Sequence, residues 1–186
     1  MGNLFRSERL RLAALTTEDA DTFARWSRDA EYLRFFDTEY AMPRSADYYR
    51  ADIQAEAANP NAMEFGIRLA EDDRLIGYIS INHIEWNNRS GRLSIGIGEA
   101  DCRHLGYGTE AIGMLLRYAF DELNLNRVGL DVIAHNRAAI RSYEKSGFAV
   151  EGRIREGVLR DGKKIDRIYM GILRSEWEDR RGERHR

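Results

Sequence analysis

The run Ile95-Gly96-Ile97-Gly98, a short linker, then Arg103-His104-Leu105-Gly106-Tyr107-Gly108-Thr109 carries the residue types that hold an anion. An apolar, glycine-bearing strand leads into a basic turn, and the turn opens a helix. The first amides of a helix have no partner within it and carry partial positive charge. Gly106 and Gly108 remove side chains from the approach, so that phosphate oxygens can reach those amides. Arg103 adds a cationic fork, Thr109 a hydroxyl and His104 a further donor. A tight turn without a ligand explains the glycines alone. It does not call for the arginine and the helix start beside them.

Three phosphate-bearing ligands compete for this turn. Gly106-Tyr107-Gly108-Thr109-Glu110-Ala111 fits the dinucleotide pattern G-x-G-x-x-A, with Asp131 about 20 residues further on. Several residues separate the strand from the first glycine, however, and a dinucleotide fold needs more parallel strands than the rest of the chain can supply. The nucleotide pattern G-x-x-x-x-G-K-[ST] is absent from the sequence. The third ligand is the pyrophosphate of coenzyme A.

The elements around the turn follow from periodicity. Arg9 to Leu15 alternates as a strand, and Thr16-Thr17-Glu18-Asp19 then starts a helix carrying Ala20, Phe23, Ala24 and Trp26 inward. Pro43-Arg44-Ser45 opens a second helix with Tyr48, Tyr49, Ile53 and Ala57, stopped by Asn59-Pro60-Asn61. Phe65–Leu69, Leu75–Ile84 and Leu93–Gly98 read as an antiparallel meander with turns at Asp72-Asp73 and Asn87–Gly91. Thr109 to Leu123 has helical spacing, and Val128–Ile133 is a buried strand. Asn136 caps a helix that Gly147 ends. Phe148–Ile154 and Ile165–Leu173 close the sheet across a turn at Asp161-Gly162. Residues 1–177 thus form one domain, and the Arg-, Glu- and Asp-rich residues 178–186 are expected to fray.

Composition narrows the classes. The chain has 186 residues, 43% hydrophobic and 32% charged, which suits one folded domain. Lys and Arg total 29 against 31 Asp and Glu, so no basic excess favours nucleic acid. Cys102 is the single cysteine, which excludes an intrachain disulfide, and no ligand cluster has metal spacing. The opening Met1–Arg6 lacks the basic-then-apolar run of a secretory signal, and no run spans a membrane. The expectation is a cytoplasmic protein, and the Asn88-Arg89-Ser90 sequon is incidental.

Arg103-His104-Leu105-Gly106-Tyr107-Gly108 resembles the R/Q-x-x-G-x-G/A pyrophosphate motif of the GNAT N-acetyltransferase superfamily. In order along the chain, Thr109-Glu110-Ala111, Tyr118-Ala119-Phe120, Leu123–Val128, Asn136 with Ala139-Ile140, and Tyr143–Phe148 resemble its ribosomal-protein (RimJ/RimL-like) branch. Glu151-Gly152, Arg155, Asp161-Gly162 and Asp166 extend the match, and Arg9–Leu15 resembles the branch's first strand. Leu105 departs from it, standing where many relatives carry a basic or small residue. The resemblance implies an α+β fold: a three-layer α/β/α sandwich with a mixed, largely antiparallel, splayed sheet. It also implies an acetyl-CoA-dependent N-acetyltransferase acting on a primary amine, whether a protein N-terminus or a small amine such as a polyamine or antibiotic. A catalytically silent acyl-CoA-binding module and a nucleotide-dependent oxidoreductase are the rival readings.

Acyl transfer from a thioester needs a neutral amine, donors for the oxyanion and a proton for the thiolate. By resemblance, Tyr143 lies near the sulfur and supplies that proton. The backbone of Ile95, Gly96, Ile97 and Gly98 binds the pantetheine arm, joined by Asn136 and Ala139, and an amide near Ile97 polarises the carbonyl. Arg103 to Thr109 and Lys145 complete the cosubstrate set. Glu85, at a strand end, is the leading general base and also faces the acceptor, together with Phe36, Asp37 and Glu39. Cys102 has no partner spacing for a nucleophile, and exposed strand positions allow a homodimer.

Overall fold

A computed structural model describes residues 3–184. Met1 and Gly2 of the opening segment, and His185 and Arg186 of the tail, lie outside the described residues. The chain runs β1 (Leu10–Ala13), α1 (Ala20–Trp26), α2 (Ala30–Phe36), α3 (Ala46–Ala57), β2 (Met63–Leu69), β3 (Leu75–Glu85) and β4 (Ser90–Ile97). It continues with α4 (Tyr107–Arg117), β5 (Arg127–Ile133), α5 (Arg137–Ser146), β6 (Ala149–Arg160), β7 (Lys163–Leu173) and α6 (Arg174–Arg184). The strands form one sheet in the order β1-β2-β3-β4-β5-β7-β6.

Every neighbouring pair is antiparallel except β4 and β5. That parallel pair is short: Ser90, Gly91 and Arg92 face Arg127, Val128 and Gly129, and then the strands part. Leu93 to Ile97 therefore has a partner strand on the β3 side only, and a wedge opens between β4 and β5. This is the mixed, splayed α+β sandwich that the sequence implies.

Strand alternation divides the sheet's faces. Ile79, Ile81 and Leu93 belong to the core with Ile112, Leu115 and Leu116 of α4. Each of those three α4 side chains is at most 1% exposed, worth on the order of 2 kcal/mol apiece in burial. The alternate residues Tyr78, Ser80 and Asn82 face the other way. Among the described residues, no helix is long and apolar enough to cross a membrane.

Several expected boundaries move. The helix expected from Thr16 begins as a 3-10 turn, Thr17–Asp19, and α2 was not foreseen. The Asp29 carboxylate caps α2 by accepting from the Tyr32 amide at 3.0 Å. The helix expected through Leu123 leaves α geometry at Arg117 for a wider π-type turn, Tyr118–Glu122. The tail expected to fray is instead helical through Arg184. Trp177 anchors it, buried with its ring 5.2 Å from Phe120, and Arg181 pairs with Asp121 at 3.1 Å.

Candidate active site

The helix start after β4 has the form an anion site needs. Gly106 is the residue before α4, with φ +87°, and no side chain caps the helix. An L side chain resists that backbone conformation. Gly108 keeps the approach open: a Cβ there would meet nothing nearer than 4.0 Å. His104 also has positive φ, and both it and Leu105 are exposed at the turn.

Arg103, expected at this turn, is engaged beside it. Arg103 is turned away: its Nε donates to the Ile97 carbonyl at 3.0 Å, and its Nη2 to the Gly98 carbonyl at 2.8 Å. Its Nη1 pairs with Asp29 at 3.0 Å, and the guanidinium lies 5.1 Å over the Tyr32 ring. The fork therefore holds α2 against the end of β4. The Tyr32 amide and then Arg103 hold the Asp29 carboxyl below its usual range. Arg9, which the sequence marked only as a strand residue, also lies at the turn. It donates to the Leu105 carbonyl at 3.1 Å, pairs with Glu110 and lies 4.6 Å over the Tyr107 ring. No local signal reveals this, since 96 residues separate Arg9 from Leu105. The Thr109 hydroxyl, too, is taken up elsewhere, bonding to Ser142 of α5 at 2.7 Å.

Ile95 and Ile97 point toward α4, each about 4.0 Å from a Cβ placed on Gly108. Gly96 and Gly98 are small for a reason the sequence did not show. A Cβ on Gly96 would collide with Tyr32 and Phe36, and one on Gly98 with the Trp26 indole. Asn136 caps α5, its Oδ1 accepting from the Ala139 amide at 3.1 Å, while its Nδ2 donates to the Phe35 carbonyl at 3.2 Å. It thus ties α5 to α2. Tyr143 is 7% exposed, with its ring 5.9 Å from Phe148 and no partner for its hydroxyl among the described residues. Burial pushes the phenol up to about 12. Lys145 is exposed one turn beyond Ser142, with no ion-pair partner among the described residues.

Across the sheet from α4, α1, α2 and α3 roof a cavity of about 300 Å³ over Tyr78. Tyr32, Phe36, Tyr40 and Tyr49 give it aromatic walls, and Asp37, Glu39, Asp52 and Glu64 give it carboxylates. Phe36, Asp37 and Glu39 are thus brought together. Glu85 is not. It is exposed, bonds Asn88 at 2.6 Å, and lines a neighbouring open cleft of about 540 Å³ with Glu56, Asn82 and His83. Asp52 and Glu64 border both spaces. Burial, then Glu56 and Asp52, push the Glu64 carboxyl up to about 7. The sequence reading missed Glu64 because it began β2 at Phe65, two residues after its observed start at Met63. The alternation that puts Phe65, Ile67 and Leu69 in the core would have set Glu64 on the opposite face.

The other chemistries find no support in this geometry. Cys102 is buried, accepts from Arg74 Nη2 at 3.2 Å and is raised by burial, the reverse of an activated thiol. Asp131, the acid that a dinucleotide ribose would need, is held between Arg92 and Arg167. No group of three or more His, Cys, Asp or Glu among the described residues could hold a metal. What remains is an uncapped helix start flanked by Arg9, the splayed edge of β4, and a buried phenol. These fit a cosubstrate that is phosphorylated at one end and amide-bearing along its length.

Comparison with known proteins agrees. Residues 9–149 match the family described as acetyltransferase (GNAT) domain. The chain is 32% identical over 172 residues to YdaF of Bacillus subtilis (strain 168), whose name assigns it to ribosomal N-acetylation; the match covers 90% of this chain and 87% of that one. It also superposes on the crystal structure of spermidine N-acetyltransferase from Vibrio cholerae in complex with CoA and spermine. There the TM-score is 0.84, with 25% identity over 92% of this chain and 99% of that chain. A dodecameric structure of the Vibrio cholerae enzyme matches with TM-score 0.78 and 26% identity, covering 94% and 99% of the two chains.

Proposed function

The chain belongs to the GNAT acetyltransferase family and is an acetyl-CoA-dependent N-acetyltransferase of amines, and on that premise we propose that its acceptor is a small cationic amine. The observation that carries this reading is the roofed cavity of about 300 Å³, whose size suits a small molecule. Aromatic faces attract an ammonium, and the carboxylates around them add charge. The cavity touches β4 through Tyr32 and Phe36, which pack on Gly96, so an amine there lies beside the splayed strand.

In the proposed reaction the amine attacks the thioester carbonyl directly. Backbone amides of the Ile95–Gly98 segment orient the thioester arm, and the first turn of α4, with Arg9, His104 and Lys145 around it, receives the phosphates. The Tyr143 hydroxyl gives its proton to the departing sulfur and recovers one from the adduct nitrogen. The Vibrio cholerae relative, bound to spermine, supports a polyamine-like acceptor. A homodimer is supported by the exposed Val150, Ile154 and Leu159 on the edge strand β6, and sedimentation would measure it.

The test is release of coenzyme A thiol over a panel of alkylamines, polyamines, aminoglycosides and N-terminal peptides. We expect small polycationic amines to exceed peptides in kcat/KM by tenfold or more. Peptides turning over best would overturn the acceptor reading. Saturable acetyl-CoA binding with no release over any amine would favour a silent binding module.

A further inference from the structure

Glu64 and Asp52 are the carboxylates that border both the aromatic cavity and the open polar cleft. Asp52 is exposed on α3. Glu64 stands on the sheet itself, where it heads a row of facing residues. Glu64 of β2 pairs with Ser80 of β3, and Ser80 with Ser94 of β4. Asn82 stitches the row, its Nδ2 donating to Ser80 Oγ at 3.2 Å and to Ser94 Oγ at 2.9 Å. Ser80 is 0% exposed, so this polar line is part of the interior. It ends beside Ile95, where β4 has left β5. Two strand spacings, roughly 10 Å, separate Glu64 from that edge, a gap that its side chain, an amine nitrogen and a water can span.

We infer that Glu64 is the general base: it takes the proton of the acceptor ammonium in the aromatic cavity and passes it to solvent through the cleft. The inference rests on the cationic-amine reading above. The balance is complete. An ammonium must lose two protons to become an amide nitrogen. The first goes to Glu64 and on to water. The freed lone pair forms the C–N bond, the C–S bond breaks with its electron pair on sulfur, and the second proton reaches that sulfur through Tyr143.

The groups around Glu64 suit this role. From α3, Asp52 and Glu56 face it; from β3, Tyr78 shares the cavity, and His83 and Glu85 lie along the cleft. Asp37, Glu39 and Arg44 also line the cavity, and Arg44 lies over Tyr48 at 4.8 Å. Arg68, two strand pairs further along the same face, is held by Asp19. No cation pairs with Glu64 among the described residues, which leaves its carboxylate free for an incoming ammonium. Burial and the two α3 acids bring it to about 7, where a base works best near neutral pH.

The experiment is the pH profile of kcat/KM from about pH 5.5 to 9.5, with the best amine of the panel, for wild type and three variants. The wild type should show an acid limb near pH 7. Glu64→Gln should abolish that limb and lower kcat/KM on the order of 100-fold, with acetyl-CoA affinity retained and the melting midpoint not lowered as evidence of folding. Glu56→Gln removes the stronger of the two repelling charges and should move the limb to lower pH; Glu85→Gln should leave its position alone. A limb that survives Glu64→Gln, disappears with Glu85→Gln or fails to move with Glu56→Gln overturns the base while leaving the acceptor reading intact. No thiol release by the wild type over any amine overturns both.

Discussion

Tyr143→Phe separates chemistry from packing. The side chain is 7% exposed against Phe148, and its hydroxyl has no partner among the described residues. Deleting that oxygen therefore breaks no internal hydrogen bond, and stability should change by about 1 kcal/mol or less. The ring stays, so no cavity opens. With the phenol pushed up to about 12, the proton is present throughout the neutral range, and the profile should show no basic limb from this group below about pH 10. Proton donation by a positioned side chain is worth about 10²–10⁴ in rate, or roughly 3–5 kcal/mol on the barrier. Thiol release at saturating acetyl-CoA and amine should fall on the order of 100-fold. Acetyl-CoA affinity, from calorimetric titration, should stay within about threefold, and the melting midpoint within a few degrees. A kcat within about threefold of wild type removes Tyr143 from the mechanism. A matching fall in melting midpoint would show that the phenol is a packing group.

Other outcomes follow from the same geometry. Gly106→Ala forces a side chain to φ +87°, about 1–2 kcal/mol of strain, without a clash: the nearest atom, Arg9 Nη2, is 3.5 Å away. Acetyl-CoA affinity should fall tenfold or more in calorimetry, with only a small drop in melting midpoint. Asp131→Asn leaves Arg92 and Arg167 without their shared carboxylate and should cost about 3 kcal/mol in urea unfolding. Glu64 also sets a pH dependence of stability. Its folded value of about 7 lies above the ordinary 4.5, so between these the folded state binds more protons, and stability falls as pH rises through the window. Glu64→Gln should therefore raise the melting midpoint at pH 8, by up to about 2 kcal/mol of stability, and leave it unchanged at pH 4.

What the sequence disclosed was local. Asn136 and Gly147 mark the ends of α5 by rules that act within four residues, and both hold. The glycine turn before α4 was readable for the same reason. Pairings across the chain were not. Arg103 was expected on the phosphates, because nothing nearby in sequence shows that Asp29 waits for it. Arg9 looked like a strand residue until Glu110 and Tyr107 were beside it. The charged tail read as frayed, since the Phe120 that seats Trp177 lies far back in the chain. Glu64 looked like any acid at a strand's start; only the closing of α3 over it, with Asp52 and Glu56, makes it unlike the others.

The same distinction explains the wedge. Alternation predicts that β4 and β5 are strands, but not that they pair over Ser90–Arg92 alone. Two ion-pair systems account for where they part. Arg92 is the last residue of β4 paired with β5, and its guanidinium meets Asp131 of β5, which Arg167 of β7 holds from the other side. That fixes the closed end. At the open end, Arg103 takes the carbonyls of Ile97 and Gly98 and is itself pinned by Asp29 at the start of α2. Strand β4 cannot swing toward β5 without breaking those bonds. The arginine that the motif suggests for the phosphate is thus bonded along the wall of the cleft, while Arg9 lies at the turn beside the helix amides. Arg103→Gln should then disturb thioester placement, read as a fall in kcat, more than acetyl-CoA affinity. A loss confined to affinity would return the arginine to the phosphate.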